Sequence, residues 1–217
     1  MRKKLFLGIF FMFLSKALAI GCAGEIIPED EIEGEYSCDS LDFSLKENFP
    51  KNTTKILIAE NDEEPYRLEA TVKNGKIVKT TAFYESGTIQ RITPYKNGLR
   101  HGMRFIYGED GVLSEEIPYV KNKAQGEGKR YYPSGKISAL IPYKNDHING
   151  VVRYFYESGV LYGEFEFKND MRDGIAIWYC ENGAIGGKGK YRNNELVGYF
   201  VCSNGKKGLD TMSCECP

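Results

Sequence analysis

Between residues 55 and 205 apolar and polar positions alternate in short runs, and the alternation restarts on a fixed schedule. Runs such as "VVRYFY" (Val151–Tyr156) and "VLYGEFEF" (Val160–Phe167) carry β-branched and aromatic residues at the two-residue period of a half-buried strand. Phe83, Tyr107, Tyr131, Phe155 and Tyr179 form one column, and Tyr95, Tyr119, Tyr143, Phe167 and Tyr191 a second. Ile89, Leu113, Ile137, Leu161 and Ile185 form a third, and every column steps by 24 residues. A fixed period of this length is the mark of a repeat array, in which each unit buries its apolar side only by stacking on its neighbours.

Glycines punctuate each unit twice. Gly87, Gly111, Gly135, Gly159 and Gly183 close the triplets "ESG", "EDG", "PSG", "ESG" and "ENG". The triplets predict three-residue hairpin loops, a type I turn followed by a left-handed residue that forms a bulge. Gly102, Gly126, Gly150, Gly174 and Gly198 end the phrases "PYKNGLRHG", "PYVKNKAQG", "PYKNDHING", "EFKNDMRDG" and "KYRNNELVG", read as longer links between hairpins. Pro94, Pro118 and Pro142 lack the donor a ladder needs, so pairing is expected to lapse there.

The odd loop length pairs Phe83 with Ile89 and Tyr107 with Leu113. Strict alternation from those pairs predicts a buried face. It holds Phe83, Ile89, Tyr95, Phe105, Tyr107, Leu113, Ile117, Tyr119, Tyr131, Ile137, Ile141 and Tyr143, then Phe155, Leu161, Phe165, Phe167, Ile175, Ile177, Tyr179, Ile185 and Tyr191. Tyr132, Tyr154, Tyr156, Tyr162 and Trp178 fall on the second face, with Tyr154 opposite Tyr162. The expected fold is all-β: a single elongated, twisted antiparallel meander of stacked 24-residue hairpins over residues 55–205. A degenerate unit around "KNGKI" (Lys73–Ile77) and a shortened one at "YFVCSNG" (Tyr199–Gly205) cap its ends.

"YGEFEFKNDMRDGIAIWYCENG" (Tyr162–Gly183), with its order of tyrosine, glycine, aromatic, Asn, Gly, aromatic and closing Gly, resembles the MORN repeat family, in particular its bacterial, YwqK-like variant. The other units match more loosely, with the glycine before the aromatic missing and a proline inserted. The resemblance implies a stacked-hairpin scaffold that binds proteins or associates with membranes. For some bacterial relatives it implies an antitoxin, and hence an antitoxin or immunity protein neutralising one toxin as the alternative function here.

The flanks change the picture in one respect, the compartment. Residues 1–19 read as a signal peptide: Arg2, Lys3 and Lys4, then the apolar Leu5–Leu14, then a cleavage motif at Ala17–Ala19. That stretch is too short to span a bilayer. A second reading of "LAIGC" lipidates Cys22. Removal of residues 1–19 takes the formal net charge from −1 to −5, so no basic bias toward nucleic acid remains. Export implies the periplasm, cell surface or extracellular space. The leader, residues 20–54, is acidic and is either a folded cap or a spacer; residues 206–217 form a cysteine-containing tail.

Cys22, Cys38, Cys180, Cys202, Cys214 and Cys216 are an even set suited to disulfides in an exported chain. Cys180 and Cys202 hold equivalent places in successive units, too far apart to bond one another. One end of the "CEC" tail is expected to fold onto one of them, and Cys22 to pair with Cys38.

Chemistry is sparse. His101 and His147 share no repeat column, and neither a catalytic triad setting nor a phosphate loop is present. "GAIGGKGK" (Gly183–Lys190) lies inside a hairpin rather than before a helix. No catalytic residue, metal site or cofactor is assigned, and the chain is read as a non-enzymatic scaffold for a protein or cell-envelope partner.

Two surfaces remain as contact sites. The second-face aromatics Tyr132, Tyr154, Tyr156, Tyr162 and Trp178 either bind a partner or stiffen the sheet. Glu85, Glu109, Glu157 and Glu181 line one margin, and Lys96, Lys144, Lys168 and Arg192 the other. These margins are ordinary solvated turns, or they orient a homodimer, or the basic one meets anionic lipid or polysaccharide.

Overall fold

The computed structural model describes residues 19–20, 26–27, 55–61, 66–208 and 216, with side chains from Arg67 to Gly208 and at Cys216. The expectations placed on the signal peptide, on most of the leader and on Cys22, Cys38 and Cys214 lie outside the described residues. Among the described residues no helix is long and apolar enough to cross a membrane.

The fold is an antiparallel meander. Lys55–Asn61 pairs with Tyr66–Lys73, and from there Lys76–Phe83, Ile89–Lys96, Gly102–Tyr107, Leu113–Val120, Gly126–Tyr131 and Ile137–Lys144 follow, each paired with the strand before and after. Gly150–Phe155, Leu161–Lys168, Met171–Tyr179, Ile185–Arg192 and Phe200–Cys202 continue the series. The sheet is open, since none of the described registers joins its first strand to its last.

The tight turns are as expected. Phe83 pairs with Ile89, Tyr107 with Leu113, Tyr131 with Ile137, Phe155 with Leu161 and Tyr179 with Ile185. In the first, the Gly87 N–H donates to Tyr84 O at 2.9 Å, and the Tyr84 N–H donates to Thr88 O at 2.8 Å. The five turn glycines have φ of 78–93°, a region open to glycine without steric cost.

The faces are not as expected, and the cause sits one residue inside each turn pair. A bulge separates Tyr131↔Ile137 from Arg130↔Ala139, and the same shift occurs in the other four hairpins. An extra residue on one strand inverts the alternation beyond it. The core face therefore takes Tyr95, Ile117, Tyr119, Ile141, Tyr143, Phe165, Phe167 and Tyr191 from the second strands as expected, but Val152, Tyr154, Ala176 and Trp178 from the first strands. Phe83, Phe105, Tyr107, Tyr131, Phe155, Ile175, Ile177, Tyr179 and the whole Ile89 column move to the outer side of the ladder. Exposure agrees: Ile175 is 51% exposed and Ile185 41%, whereas Val152 and Ala176 are 1% exposed.

The links between hairpins also differ from expectation. They are two-residue turns, not long bends. Asn97–Gly98, Lys121–Asn122, Asn145–Asp146, Asn169–Asp170 and Asn193–Asn194 all have φ between 48° and 74°. Two successive left-handed residues define a type I′ turn, which is why Asn, Asp and Gly crowd the phrase. Pairing does not lapse at the prolines. Pro94 pairs with Lys79, Pro118 with Met103 and Pro142 with Glu127. On its other side each proline carbonyl accepts from a bulged residue, His101, Gln125 or Asn149, at 2.9–3.0 Å. A missing donor is tolerated opposite a bulge.

In four of these five I′ turns the second residue also fastens one unit to the one before. The side-chain oxygens of Asn122, Asp146, Asp170 and Asn194 accept from the backbone N–H of Arg100, Ala124, Ile148 and Arg172, each at 2.7 Å. The N–H of the same turn residue donates back to that partner's carbonyl at 2.9–3.1 Å. At the opposite edge, the Tyr84, Tyr132 and Tyr156 hydroxyls donate to Tyr107 O, Phe155 O and Tyr179 O of the following hairpin at 2.6–2.9 Å. Gly108 and Cys180 hold the remaining places of that column. Cys180 is bonded to Cys216, as the tail reading expected, with Cα atoms 5.7 Å apart. Cys202 is disulfide-bonded as well.

Candidate functional site

The groove of interest lies on the core face, at its tight-turn edge. It follows from how one column changes along the array. The column running through residues 115, 139, 163 and 187 carries Glu115, Ala139, Gly163 and Gly187, and the column through 130, 154 and 178 carries Arg130, Tyr154 and Trp178. At the last hairpin Trp178 fills the available space. It lies over Gly186, where a Cβ would meet Cε3 at 2.2 Å, and packs with Phe165, Ala176, Cys180, Phe200 and Cys202. The glycine-rich "GAIGGKGK" is thus a seat for rings. One hairpin earlier the smaller Tyr154 holds the column of Trp178, Tyr162 stands in place of Gly186, and a space stays open.

That opening has a volume of about 370 Å³ and is lined by Arg130, Tyr132, Ser138, Ala139, Tyr154, Phe155, Tyr156 and Tyr162. Ala139, 1% exposed, forms the floor. Tyr156 and Tyr162 meet edge to face with centroids 5.1 Å apart, and Tyr154 meets Phe165 in the same manner at 5.6 Å. The hydroxyls of Tyr132 and Tyr156 are committed to backbone carbonyls, so these residues present rings rather than donors. At one end the Arg130 Nε donates to Glu115 at 2.9 Å.

Of the five aromatic residues expected on one surface, Tyr132, Tyr154, Tyr156 and Tyr162 converge here. Trp178 does not: it is 8% exposed and belongs to the core. Its indole N–H is buried with no acceptor among the described residues. The expected cross-strand pair also changes, because Tyr154 lies opposite Gly163 and Tyr162 is the bulged residue whose ring turns to Tyr156. Sequence reasoning missed Arg130, Ser138 and Ala139. The drop from Glu115 to Ala139 in a column of otherwise regular repeats was the available signal.

Lys96, Lys144, Lys168 and Arg192 are exposed beside the I′ turns, and Glu85, Glu109, Glu157 and Glu181 are exposed in the tight turns. Among the described residues no group of three His, Cys, Asp or Glu side chains is placed to hold a metal. His101 stays a turn residue, while His147 Nδ1 meets Asp170 at 2.6 Å. That hydrogen bond, followed by the one from the Ile148 N–H, holds the Asp170 carboxyl below its ordinary 3.8. On the outer face the Tyr179 phenol is pushed above 10, first by burial and then by its hydrogen bond to Glu164 at 3.1 Å.

These features define a single-sheet hairpin scaffold, held by turn-to-turn clamps, with an unfilled aromatic groove. Four successive windows, residues 77–97, 100–121, 124–145 and 148–169, match the MORN repeat variant. These four units are therefore MORN repeats of the variant type, and each window spans the stretch between consecutive I′ turns. The hairpin at Gly183 repeats the same registers outside the matched windows. No curated protein matches the chain. Arrays of this kind serve as binding scaffolds.

Proposed function

We propose that the chain is an exported, non-catalytic scaffold that binds a protein or cell-envelope partner through the tyrosine groove between the hairpins at Gly135 and Gly159. The observation that carries this reading is the unfilled space itself. Four tyrosines border it, and in the next unit the larger Trp178, in the column of Tyr154, lies over Gly186 and packs into the core. Rigid aromatic rings at the rim of a small cavity supply contact area at low entropic cost. The Cys180–Cys216 disulfide is compatible with an oxidising compartment, as the signal-like residues 1–19 suggest.

Ser138→Tyr tests this reading, because residue 162 of the next unit already carries tyrosine in that column. The variant fills the groove while the fold survives. Binding of the mature protein to an isolated cell-envelope fraction should fall at least about tenfold, the loss of one well-placed aromatic contact. Undiminished binding by the folded variant would remove the groove from the account.

A further inference from the structure

We infer that the groove takes a polypeptide segment in the polyproline II conformation, running along the array across the strands, with prolines at every third residue and a basic residue beside them. The inference rests on the groove being the contact site and names what enters it.

Three observations on this surface converge. The first is pitch. Tyr132 and Tyr156 occupy the same column one unit apart, and one unit is two strands wide, about 9.6 Å. A polyproline II helix rises about 9.3 Å per three residues, so prolines spaced by three fall in step with the ring ridges. The second is chemistry. The lining is mostly apolar, and the Tyr132 and Tyr156 hydroxyls are already bonded to Phe155 O and Tyr179 O. No Asp, Asn, Glu or Gln lines the groove. A glycan needs such acceptors for its hydroxyls, whereas a pyrrolidine ring needs only an aromatic wall. A polyproline helix has no internal hydrogen bonds, and Arg130 and Ser138 at the groove are groups able to donate to its carbonyls.

The third is charge. The tight-turn edge that borders the groove carries Glu109, Asp110, Glu157 and Glu181, all exposed, against Lys136. An arginine or lysine next to the prolines meets that edge with complementary sign. Aromatic-lined grooves that receive pre-formed polyproline segments lose little entropy on binding, which makes a shallow groove sufficient.

The mature full chain is titrated by calorimetry with four probes. These are an acetylated decapeptide with proline at every third position and one arginine, the same residues scrambled, the peptide with glutamate for arginine, and cellotetraose. The first peptide should bind. Glutamate for arginine should weaken it about threefold to fivefold, as one exposed charge pair is reversed. Ser138→Tyr and Tyr162→Ser, each a residue already found in that column, should weaken it about tenfold. Equal binding of the scrambled peptide overturns the pitch matching, and equal binding of the glutamate peptide overturns the charge assignment. Cellotetraose binding that Ser138→Tyr abolishes, with no peptide binding, overturns the polyproline inference but leaves the groove as contact site. If no probe binds and Ser138→Tyr leaves binding of the envelope fraction unchanged, both readings fall.

Discussion

Replacing Asp146 by alanine removes two things at once. The Asp146 carboxylate accepts from the Ala124 N–H at 2.7 Å, and the residue sits at φ 71° in the second place of its I′ turn. Losing a part-buried hydrogen bond of this kind costs about 1 kcal/mol. Holding alanine in the left-handed region, where Asp and Asn are better tolerated, adds about 1 kcal/mol. Alanine should therefore destabilise the array by about 2 kcal/mol. Glycine loses the bond but adopts the turn freely, so it should cost about 1 kcal/mol. Asparagine keeps both and should be nearly neutral, as Asn122 and Asn194 already do this work in their own units. For a chain of this size about 2–4 °C of Tm corresponds to each kcal/mol. Calorimetry of the three variants should then rank Asn, Gly and Ala at losses of about 0, 3 and 6 °C. Equal losses for Gly and Ala would refute the backbone part of the reasoning. A loss for Asn matching that of Ala would show that charge, not the clamp, is what Asp146 supplies.

Further predictions concern the core, the tail and pH. Trp178→Ala should cost about 3–5 kcal/mol in denaturant unfolding, as expected for a buried ring, while Trp178→Phe should cost far less because its N–H has no acceptor among the described residues to lose. Cys216→Ser should lower stability by about 3–4 kcal/mol, from the 36-residue separation that the bond closes, and the difference from wild type should vanish once both are reduced. Asp170 has a folded pKa below its unfolded 3.8, so its contribution is complete above that value and is lost as pH falls through the folded one. Tm followed from about pH 6 to pH 3 should drop less steeply in Asp170→Asn than in wild type.

Much of the architecture was legible in the chain because the punctuation is chemical. Only glycine suits the third loop position without strain, so the column from Gly87 to Gly183 located the tight turns and the Phe83↔Ile89 type of pairing. The faces were not legible from alternation alone. A bulge adds one residue, and nothing in "TIQR" (Thr88–Arg91) or "LYGE" (Leu161–Glu164) marks it; once it is present, Trp178 moves from a surface to the core. The I′ turns were legible in principle, since the Asn-Gly of "PYKNGLRHG" and the Asn-Asp of "PYKNDHING" are strong hairpin signals. Their prolines obscured them, and only the register shows the bulge that makes a proline acceptable there. The groove was half legible. Its tyrosines stood out as a group, but its floor is defined by what Ala139 lacks compared with Glu115, and an absence of bulk shows only when the columns are aligned in space.

The most direct measurement places a reporter on every tyrosine. The mature protein is labelled with 3-fluorotyrosine, its resonances are assigned through single Tyr→Phe variants, and fluorine spectra are recorded with and without the cell-envelope fraction. Binding through the groove predicts shifts at Tyr132, Tyr154, Tyr156 and Tyr162, with the outer-face Tyr107, Tyr131 and Tyr179 unchanged. Shifts confined to the outer-face tyrosines, with the four groove signals unmoved, would contradict it.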